Sequence, residues 1–419
     1  MAAAQQLSHV YPLGSLVNER GRIEVGGCDT VELAREFGTP AYVVAEDDIR
    51  ARARAMVAAF AARTDDFEVV FASKAFPCTA VYRLLWEAGI GCDVAGGGEL
   101  ALALAAGIDP ARIHLHGNAK TRDELTFARD AGVGTIVVDN MRDLELLDDL
   151  ASGAAPQPVL LRIAPGVSPE THPAISTGGP NTKFGFDLRH APAAIERAQA
   201  SAAVRLDGIH LHIGSQILDM EPFRAALQAV AGLGDFGTYN LGGGLGIAYG
   251  AHDAPPSIED YVAAKLDAVD EIIGPGRRVI DEPGRALVGP STVTLYTVQS
   301  IKRNVDTYVA VDGGMSDNLR PMLYGARYEA QISGRPGGGT RCHVVGKHCE
   351  SGDILVRDAD LADPRPGDVL VTPATGAYGH AMANTYNGAL RPPVIFCSGG
   401  DARVVVRRET YEDLLARDV

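Results

Sequence analysis

The sequence predicts an α/β protein that consists of a (β/α)8 TIM-type barrel and a second, all-β domain of sandwich or barrel type. Two observations predict the barrel: short β-branched segments alternate with helical segments over residues 46–285, and there are eight such strand segments. A third observation predicts the second domain, because after Pro290 the chain changes to β-rich segments separated by Gly, Pro and Asp turns.

The segments before the barrel carry strand and helix signals of their own. RIEVGG and AYVVAE are typical of strands, and between them a helix is expected to begin near Thr30 and to end at Gly38. Because the barrel has eight strands without these segments, we expect them to join the β domain. The predicted division is residues 1–45 for N-terminal strands of the β domain, 46–290 for the barrel and 291–419 for the C-terminal β domain.

Each predicted barrel strand is a short run of apolar and β-branched residues bounded by turn residues. The strands are FEVVFASK (67–74), IGCDVA (90–95), RIHLHG (112–117), TIVVD (135–139), VLLRIAP (159–165), GIHLHIGS (208–215), TYNLGGG (238–244) and RVIDEPG (278–284). Before the first strand, one helical face is apolar at Ile49, Ala53, Met56, Val57 and Phe60. Thr121 and Glu124 form a capping box that opens a later helix, which ends near Gly132.

The C-terminal part of the chain is predicted to be β-rich from STVTLYTVQSIKR onward. Turns are expected at RPGGGT, SGD, DPRPGD and SGGD, between segments that favour strands. A short final helix is expected in RETYEDLLARD.

Composition and charge narrow the classes of function. With 46% hydrophobic and 22% charged residues, the chain has an ordinary globular composition. Its net charge of −15 repels phosphate backbones and anionic lipids, so we expect a small-molecule substrate and neither nucleic acid nor a membrane as partner. The sequence shows no export signal and no apolar stretch of about 18 residues, which predicts a cytoplasmic protein. The cysteines lack zinc-like spacing, and we expect free thiols and no metal site.

Candidate catalytic groups are expected at the C-terminal ends of the barrel strands, where β/α barrels carry their active sites. The ends of the first, sixth, seventh and eighth strands hold Lys74; His210, His212 and Ser215; Gly242, Gly243 and Gly244; and Glu282 and Arg285. Closure of the barrel makes the first and eighth strands neighbours, so Lys74 is expected beside Glu282 and Arg285.

These residues predict pyridoxal 5′-phosphate (PLP) as the cofactor. PLP requires a lysine that binds its aldehyde, donors for its phosphate and an acid that pairs with its pyridine nitrogen. Lys74 and Glu282 supply the amine and the acid, and the bare backbone of the three glycines can approach a phosphate closely. Each residue alone also has an ordinary structural explanation, and for His210 the structural and the functional explanation both stay open.

Eight short motifs extend the prediction over nearly the whole chain. They are FASKAF (71–76), CDVAGGGEL (92–100), HIGSQ (212–216), GGGLG (242–246), EPGR (282–285), RPMLYGA (320–326), CESGD (349–353) and GAY (376–378). In this order, the motifs resemble the fold type III (alanine-racemase-fold) PLP-dependent decarboxylases, and among these the diaminopimelate decarboxylases. The resemblance implies decarboxylation of meso-2,6-diaminopimelate to L-lysine, the last step of lysine biosynthesis. His172 and Lys183 also resemble family positions, without an assigned role.

The resemblance implies a role for each cofactor-binding residue. Lys74 would hold the cofactor covalently, His212 would stack on one face of its pyridine ring, and Glu282 would keep the ring nitrogen protonated. The residues implied at the phosphate are Ser215 and the backbone of Gly242, Gly243 and Gly244, with Tyr378 closing the phosphate end. Arg285 is also expected among the cofactor-binding residues.

The resemblance also implies a substrate site and a dimer. The substrate-binding residues would be Arg285, Arg320, Tyr324, Glu350 and Tyr378. Diaminopimelate carries an amine and a carboxylate at each end, so its non-reacting end needs guanidinium donors and an anion. Cys349 matches a cysteine that reaches across the dimer interface and delivers a proton to the reacting carbon. A homodimer with active sites shared at the interface is therefore expected.

Three other functions are weighed against this one. A related decarboxylase that acts on a D-amino acid, or on an aminoacyl group of a specialised pathway, stays open. The reason is that Ala381, Ala383 and Asn384 stand where relatives often have serine. A non-catalytic PLP-binding relative would lack Lys74 or Cys349, and both are present. An alanine racemase would need a catalytic tyrosine from its second domain and has no use for the CES and RPxxY motifs.

Overall fold

The computed structural model describes residues 7–151, 153, 155–167, 177–179 and 182–419. The chain divides into two compact units. The barrel unit takes its residues from 52–246 and 255–286, and the β unit takes its residues from 1–51, 247–254 and 287–419.

The N-terminal elements begin with a small antiparallel sheet. In chain order they are β1 (Leu16–Val17), β2 (Ile23–Val25), β3 (Cys28–Asp29), α1 (Thr30–Phe37), β4 (Ala41–Ala45) and α2 (Glu46–Ala61). Helix α1 has the predicted ends. The Asp29 side chain caps its N-terminus by accepting from two backbone N–H groups, and Gly38 ends it with a φ of +72°.

The central part of the chain alternates strands with helices. Its elements are β5 (Phe67–Ala72), α3 (Thr79–Glu87), β6 (Gly91–Val94), α4 (Gly97–Ala105), β7 (Ile113–Leu115), α5 (Arg122–Ala131), β8 (Thr135–Val138), α6 (Met141–Asp149), β9 (Gln157–Ala164), β10 (Phe186–Asp187), α7 (Ala191–Ala200), β11 (Val204–Leu211), α8 (Glu221–Val230), β12 (Thr238–Asn240), α9 (Ile258–Ile272) and β13 (Arg278–Asp281). The predicted capping box of Thr121 and Glu124 opens α5, and Gly132 ends it in the left-handed conformation.

Among the described residues, eight parallel strands close into a barrel. The hydrogen-bonded order is β5, β6, β7, β8, β9, β11, β12 and β13, and β13 pairs back to β5. The short strand β10 adds to β9 outside this ring. The Ala72 N–H donates to the Pro283 carbonyl at 3.1 Å, so the ends of β5 and β13 lie side by side. The barrel that the sequence predicts is confirmed.

The C-terminal part of the chain contains most of the second domain. Its elements are α10 (Arg285–Val288), β14 (Thr292–Arg303), β15 (Thr307–Val311), α11 (Arg320–Tyr324), β16 (Gln331–Ile332), β17 (Thr340–Val345), β18 (Ile354–Leu361), β19 (Val369–Thr372), β20 (Val394–Ser398), β21 (Asp401–Val406) and α12 (Tyr411–Leu415).

The β unit is organised around a mixed sheet. The strand order is β18, β17, β15, β14, β4, β20 and β21, and β19 pairs with β14 and β16. Strand β4, from the N-terminal segment, pairs antiparallel with β14 and parallel with β20. A buried apolar cluster joins both ends of the chain, with Val25 and Val43 packed in the same group as Leu295 and Ile395. The predicted second, β-sheet domain is confirmed.

Two further features of the described residues are the character of the helices and the state of the cysteines. Within the described ranges, every helix falls short of the length and apolar character that membrane crossing requires. The six cysteines are free; five are buried and Cys349 is exposed.

Candidate active site

Lys74 lies where the chain leaves strand β5. The strand ends at Ala72, and Ser73–Ala75 form a single 3-10 turn. The neighbours of Lys74 in this turn are buried, whereas the lysine side chain is exposed. The turn therefore directs the amine away from the barrel core, and it ends the strand two residues before the predicted end.

Glu282 directly follows strand β13, and its carboxylate is almost completely buried. Asn240 Nδ2 donates to Oε1 at 2.6 Å, and His210 Nε2 donates to Oε2 at 3.0 Å. His116 Nε2 forms an ion-pair contact with Oε1 at 2.9 Å. We call His116, His210 and Asn240 the Glu282 clamp. One nitrogen of His116, one nitrogen of His210 and one carboxylate oxygen of Glu282 lie within 4.8 Å of one another. A metal ion could be bound at this spacing, but the direct contacts of the two histidines with the carboxylate also explain it.

The clamp keeps Glu282 ionised. Burial alone would raise the pKa of Glu282, but His116 and His210 hold this pKa well below its ordinary value. Burial lowers the pKa of His210 to about 4, so this ring is neutral near pH 7 and donates its Nε2 proton. Burial opposes a charge on His116 as well, yet Asp93 and Glu282 raise the pKa of His116 above its ordinary value. The carboxylate thus has two neutral donors, His210 and Asn240, and an ion-pair contact with His116, whose pKa is raised by Asp93 and by Glu282 itself.

Lys74 and Glu282 act on the same side chains. Burial raises the pKa of Asp93, and the charges of both Glu282 and Lys74 also act on this carboxyl. Burial and the Lys74 charge hold the pKa of His212 well below its ordinary value, while Glu282 acts in the opposite direction. Because such interactions weaken with distance, the amine and the carboxylate share one electrostatic environment.

His212 directly follows strand β11 and contacts the glycine turn Gly242–Gly244. The Gly243 N–H donates to His212 Nδ1 at 3.3 Å, so Nε2 carries the proton of the neutral ring. The Ile217 N–H donates to the Gly244 carbonyl at 2.9 Å. The glycine turn is therefore joined by hydrogen bonds to His212, the first residue of the HIGSQ segment, and to Ile217, which directly follows that segment.

The glycine turn is packed too closely for side chains. A Cβ on Gly243 would lie 2.1 Å from the Glu282 carbonyl oxygen, and a Cβ on Gly242 would lie 2.4 Å from the Leu211 carbonyl oxygen. Gly242 and Gly244 also have φ angles of +59° and +125°. Glycine is required here because the turn passes between the ends of β11 and β13.

Ser215 and Arg285 link the ends of the same two strands. Arg285 Nη2 donates to Ser215 Oγ at 2.9 Å. Gly284, which precedes Arg285, packs closely on the end of β5, because an added Cβ would lie 3.0 Å from the Cβ of Ala72. A hydroxyl and a guanidinium are therefore held beside the glycine turn and the turn that carries Lys74.

The other predicted site residues lie in the β unit, where Arg320 begins helix α11. Its guanidinium carbon lies 4.6 Å from the centre of the Tyr249 ring and 5.5 Å from that of Tyr328, and a guanidinium nitrogen donates to the Tyr328 hydroxyl. These contacts hold a buried cation in a fixed orientation. Tyr324 is the last residue of the same helix.

Cys349 and Glu350 lie on an exposed turn. The Cys349 N–H donates to Asn387 Oδ1 at 3.0 Å, and the Tyr386 hydroxyl donates to Glu350 Oε1 at 2.8 Å. The segment after β17 is thereby tied to residues 386–387, and the thiol and the carboxylate lie next to each other in the chain.

Tyr378 has an unusual backbone conformation. Its φ is +64°, which is uncommon for a residue other than glycine and costs about 1–3 kcal/mol. Two residues earlier, a Cβ on Gly376 would lie 1.9 Å from the Val288 carbonyl oxygen, so the GAY segment is tightly packed.

Two further residues resemble family positions without an assigned role. Lys183 Nζ lies 5.0 Å from the Phe184 ring centre, and His172 is outside the described residues.

The predicted site residues thus fall into two groups, one in each unit. The barrel group contains Lys74, His212, Ser215, Gly242, Gly243, Gly244, Glu282 and Arg285. The β-unit group contains Arg320, Tyr324, Cys349, Glu350 and Tyr378. The sequence interpretation missed His116, Asn240 and Asp93, although each is a polar residue within one position of the C-terminal end of a barrel strand and could have been found by that signal.

The barrel group has the chemistry that PLP requires. The group combines an exposed primary amine, an ionised carboxylate and a neutral imidazole. It also offers a hydroxyl and a glycine backbone that can bind a phosphate. The carboxylate is already supported by the Glu282 clamp and needs no further cation from the protein.

Comparisons with known proteins agree with a PLP site in the barrel unit. The family described as "Pyridoxal-dependent decarboxylase, pyridoxal binding domain" matches residues 46–289. The chain is 45% identical to a diaminopimelate decarboxylase of Halalkalibacterium halodurans, over 97% of each chain. It is likewise 45% identical to a diaminopimelate decarboxylase of Mycobacterium tuberculosis, over 98% of each chain.

Solved structures give the same result. A diaminopimelate decarboxylase from M. jannaschii in complex with L-lysine superimposes with a TM-score of 0.91 at 34% identity, covering 99% of both chains. A diaminopimelate decarboxylase from Helicobacter pylori complexed with L-lysine superimposes with a TM-score of 0.87 at 32% identity, covering 93% of this chain and 98% of the other.

Proposed function

The chain belongs to the diaminopimelate decarboxylases, within the pyridoxal-dependent decarboxylase family, and on this premise we propose that it converts meso-2,6-diaminopimelate to L-lysine and CO2. The cofactor is PLP. The observation that carries the proposal is the match over nearly the full length of the curated decarboxylases, which covers the cofactor group and the substrate group alike.

Residues of the barrel unit would hold the cofactor and set its charge. Bound PLP supplies an electron-withdrawing ring that stabilises negative charge on the carbon that loses CO2. Lys74 Nζ would attach to the cofactor aldehyde, and the ionised Glu282 would hold a proton on the pyridine nitrogen. Ser215 Oγ and the backbone of the glycine turn would bind the phosphate, with Arg285 adding positive charge.

His212 would cover one face of the cofactor ring. Its pKa is well below the ordinary value because of burial and the Lys74 charge, so the imidazole stays neutral near pH 7. A neutral ring stacks on the cofactor without placing a second positive charge beside the protonated pyridine. The Gly243 N–H fixes the orientation of this ring from the side.

Residues of the β unit would select the substrate. The non-reacting end of diaminopimelate carries a carboxylate and an ammonium group. Arg320, held against two tyrosine rings, is suited to the carboxylate, and Glu350 is suited to the ammonium group. Tyr324 and Tyr378 would complete this recognition, following the resemblance to the family.

Cys349 would complete the reaction. One carbon–carbon bond breaks to release CO2, and Cys349 Sγ would donate the proton that takes its place on carbon; the thiolate then regains a proton from water. A second copy of the chain would supply this thiol. In support, Cys349 is exposed and lies in the same unit as the exposed side chains of Met322 (45%), Leu323 (50%) and Tyr386 (40%), which is typical of an interface. The exposed free thiol also fits a reducing cytoplasm.

The substrate proposal is tested with purified enzyme, PLP and a panel of amino acids. We expect stoichiometric release of CO2 and L-lysine from meso-diaminopimelate, and no release by Lys74→Ala. Good turnover of a D-amino acid or an aminoacyl carrier, with none of meso-diaminopimelate, would reject this substrate and favour the specialised decarboxylase.

One observation bears on that alternative. Asn384, at a position where relatives often have serine, donates its N–H to the Ser316 carbonyl at 2.8 Å and accepts from the Tyr386 N–H at 3.0 Å. These contacts show that Asn384 shapes its own loop. The bond from the Tyr386 N–H uses the Asn384 side chain, so this residue has a role within its own loop and does not by itself call for a different substrate.

A further inference from the structure

Lys265, in helix α9, is a fully buried lysine that has no part in the proposed reaction. Its Nζ donates to the Gly242 carbonyl at 2.9 Å, to the Leu241 carbonyl at 3.3 Å and to Asp281. An ammonium group has three protons, so every donor of Lys265 is used.

The surroundings of Lys265 are arranged to hold its charge. Asp281 is fully buried and also accepts from the Tyr261 hydroxyl at 3.0 Å. The Lys265 ammonium lies 4.5 Å from the ring centres of both Phe223 and Tyr261. A buried ion pair is a weak source of stability compared with an apolar pair, so its presence calls for another explanation.

That explanation lies in the peptide between Gly242 and Gly243. In a trans peptide the carbonyl and the following N–H point in opposite directions. Lys265 binds the Gly242 carbonyl on one side, and on the other side the Gly243 N–H donates to His212 Nδ1. The peptide is therefore fixed at both ends: Lys265, paired with Asp281, binds its carbonyl, and the His212 ring accepts from its N–H.

A turn of consecutive glycines needs such an anchor. The Gly242 carbonyl accepts a second hydrogen bond, from the Glu282 N–H at 3.1 Å. Glycine populates φ values of both signs, so with this one bond left the Gly242–Gly243 peptide could rotate more readily than with both. A rotated peptide would withdraw the N–H from His212 and change the backbone that faces the phosphate.

We propose that Lys265 is a positioning residue for the cofactor: through the Gly242–Gly243 peptide it orients His212 and the glycine turn, and Asp281 is present to balance its charge. The proposal rests on the cofactor roles assigned to His212 and Gly242–Gly244. It does not depend on which amino acid is decarboxylated, so PLP binding tests it even if diaminopimelate is not the substrate.

The test compares PLP binding by the apoenzymes of wild type, Lys265→Met and the double variant Lys265→Met/Asp281→Asn. The single variant leaves Asp281 buried without its cation and is expected to be less stable. The double variant removes both charges and keeps both shapes, so it separates folding from positioning. Readouts are the PLP dissociation constant, the visible circular dichroism of the bound cofactor and the melting temperature of the apoenzyme.

We expect the double variant to regain melting temperature relative to Lys265→Met but to bind PLP about 10- to 100-fold more weakly than wild type. Its circular dichroism band should also change, because the ring that faces the cofactor is no longer fixed. The preference for PLP over pyridoxal, which lacks the phosphate, should decrease. If the double variant binds PLP as wild type does, with the same spectrum, the proposal is overturned.

A matched control is available in the same unit. Lys120 is also buried, and its Nζ donates to the Gly117 carbonyl and to Asp143, each at 2.7 Å. The variant Lys120→Met/Asp143→Asn removes an equivalent pair beneath a different turn. We expect a similar change in melting temperature with the circular dichroism of bound PLP unchanged; an equal loss of PLP affinity in this control would show that the effect of Lys265 is general destabilisation.

Discussion

At the scale of single residues, the charge on Glu282 depends on side chains from three other strands. His116, His210 and Asn240 come from β7, β11 and β12 or the residues that follow them, and they meet only when the barrel closes. The EPGR motif predicts an acid at this position but gives no information about its ionisation. The sequence could therefore identify Glu282 as the acid, but the direction of its pKa shift could be determined only from the structure.

Replacing His210 by phenylalanine tests the Glu282 clamp. The ring shape is kept, but Glu282 Oε2 loses its donor, while His210 Nδ1 has no hydrogen-bond partner among the described residues and loses nothing. We expect kcat to fall about 10- to 100-fold, corresponding to one hydrogen bond to a charged group, with a shift in the absorbance of bound PLP.

His114→Phe is the matched control for this prediction. His114 is also buried and lies 3.4 Å from the carboxylate of Glu68, near the start of β5 and away from the strand end that carries Lys74. We expect a loss of stability with kcat nearly unchanged. Equal kcat values for His210→Phe and wild type would contradict the role of the clamp.

A second prediction at the scale of single residues concerns Asp317 and the pH dependence of the free energy of unfolding. Burial raises the pKa of Asp317 to about 7, and its carboxylate accepts from the Tyr296 hydroxyl at 2.6 Å. A carboxyl whose folded pKa is raised stabilises the fold fully below its unfolded pKa of about 4, and this stabilisation is lost as the pH rises to about 7.

Asp317→Asn cannot ionise and should remove this dependence. We expect the melting temperature of wild type to fall relative to that of Asp317→Asn as the pH increases from 5 to 7, and the difference to be constant above pH 8. Thermal unfolding at pH 5, 6, 7, 8 and 9 measures it. A difference that does not change over this range would show that Asp317 titrates normally.

At the scale of elements, the glycine turn depends on the two strand ends that enclose it. A Cβ on Gly243 would lie 2.1 Å from the Glu282 carbonyl oxygen, so Gly243→Ala forces these segments apart. We expect a loss of at least tenfold in PLP affinity, because the turn and Glu282 move together. Equilibrium titration of the apoenzyme with PLP measures the effect.

Gly98→Ala is the control for the glycine turn. Gly98 also belongs to a run of three glycines, but it lies in helix α4 and an added Cβ would meet nothing within 4 Å. Alanine at this position should stabilise the helix by up to about 1 kcal/mol and leave PLP affinity unchanged. If Gly243→Ala behaves in the same way, the turn is not as constrained as its packing indicates.

The elements of the barrel could be predicted because the relevant signals are local. Each predicted strand corresponds to a parallel strand of the barrel, and the capping box at Thr121 and Glu124 opens α5 as expected. The turn at Lys74 and the short strand β10 could not be predicted. Both depend on packing against segments that are distant in the chain. The spacing of apolar residues, at every second residue in strands or every 3.6 residues in helices, gives no information about such packing.

At the scale of the whole molecule, the candidate site residues divide between two units. The cofactor group belongs to the barrel unit, and the substrate group, with Cys349, belongs to the β unit. The motifs predict both groups, but a single sequence does not say which copy of the chain completes which site. That assignment follows from the proposed homodimer and has its own test.

Two inactive variants should restore each other if the site is shared. Lys74→Ala removes the cofactor amine of the barrel unit, and Cys349→Ala removes the proton donor of the β unit. In a mixed dimer, one of the two sites would receive an intact Lys74 and an intact Cys349. Random mixing of equal amounts should therefore restore about a quarter of the wild-type sites.

The control for this experiment mixes Lys74→Ala with Glu282→Gln. Both residues belong to the barrel unit, so each site of this mixed dimer keeps one defect and activity should stay at background. Differently tagged chains, purified through both tags, establish that mixed dimers have formed. If such dimers of Lys74→Ala and Cys349→Ala are also inactive, each chain supplies its own thiol, and the exposed side chains near Cys349 need another explanation.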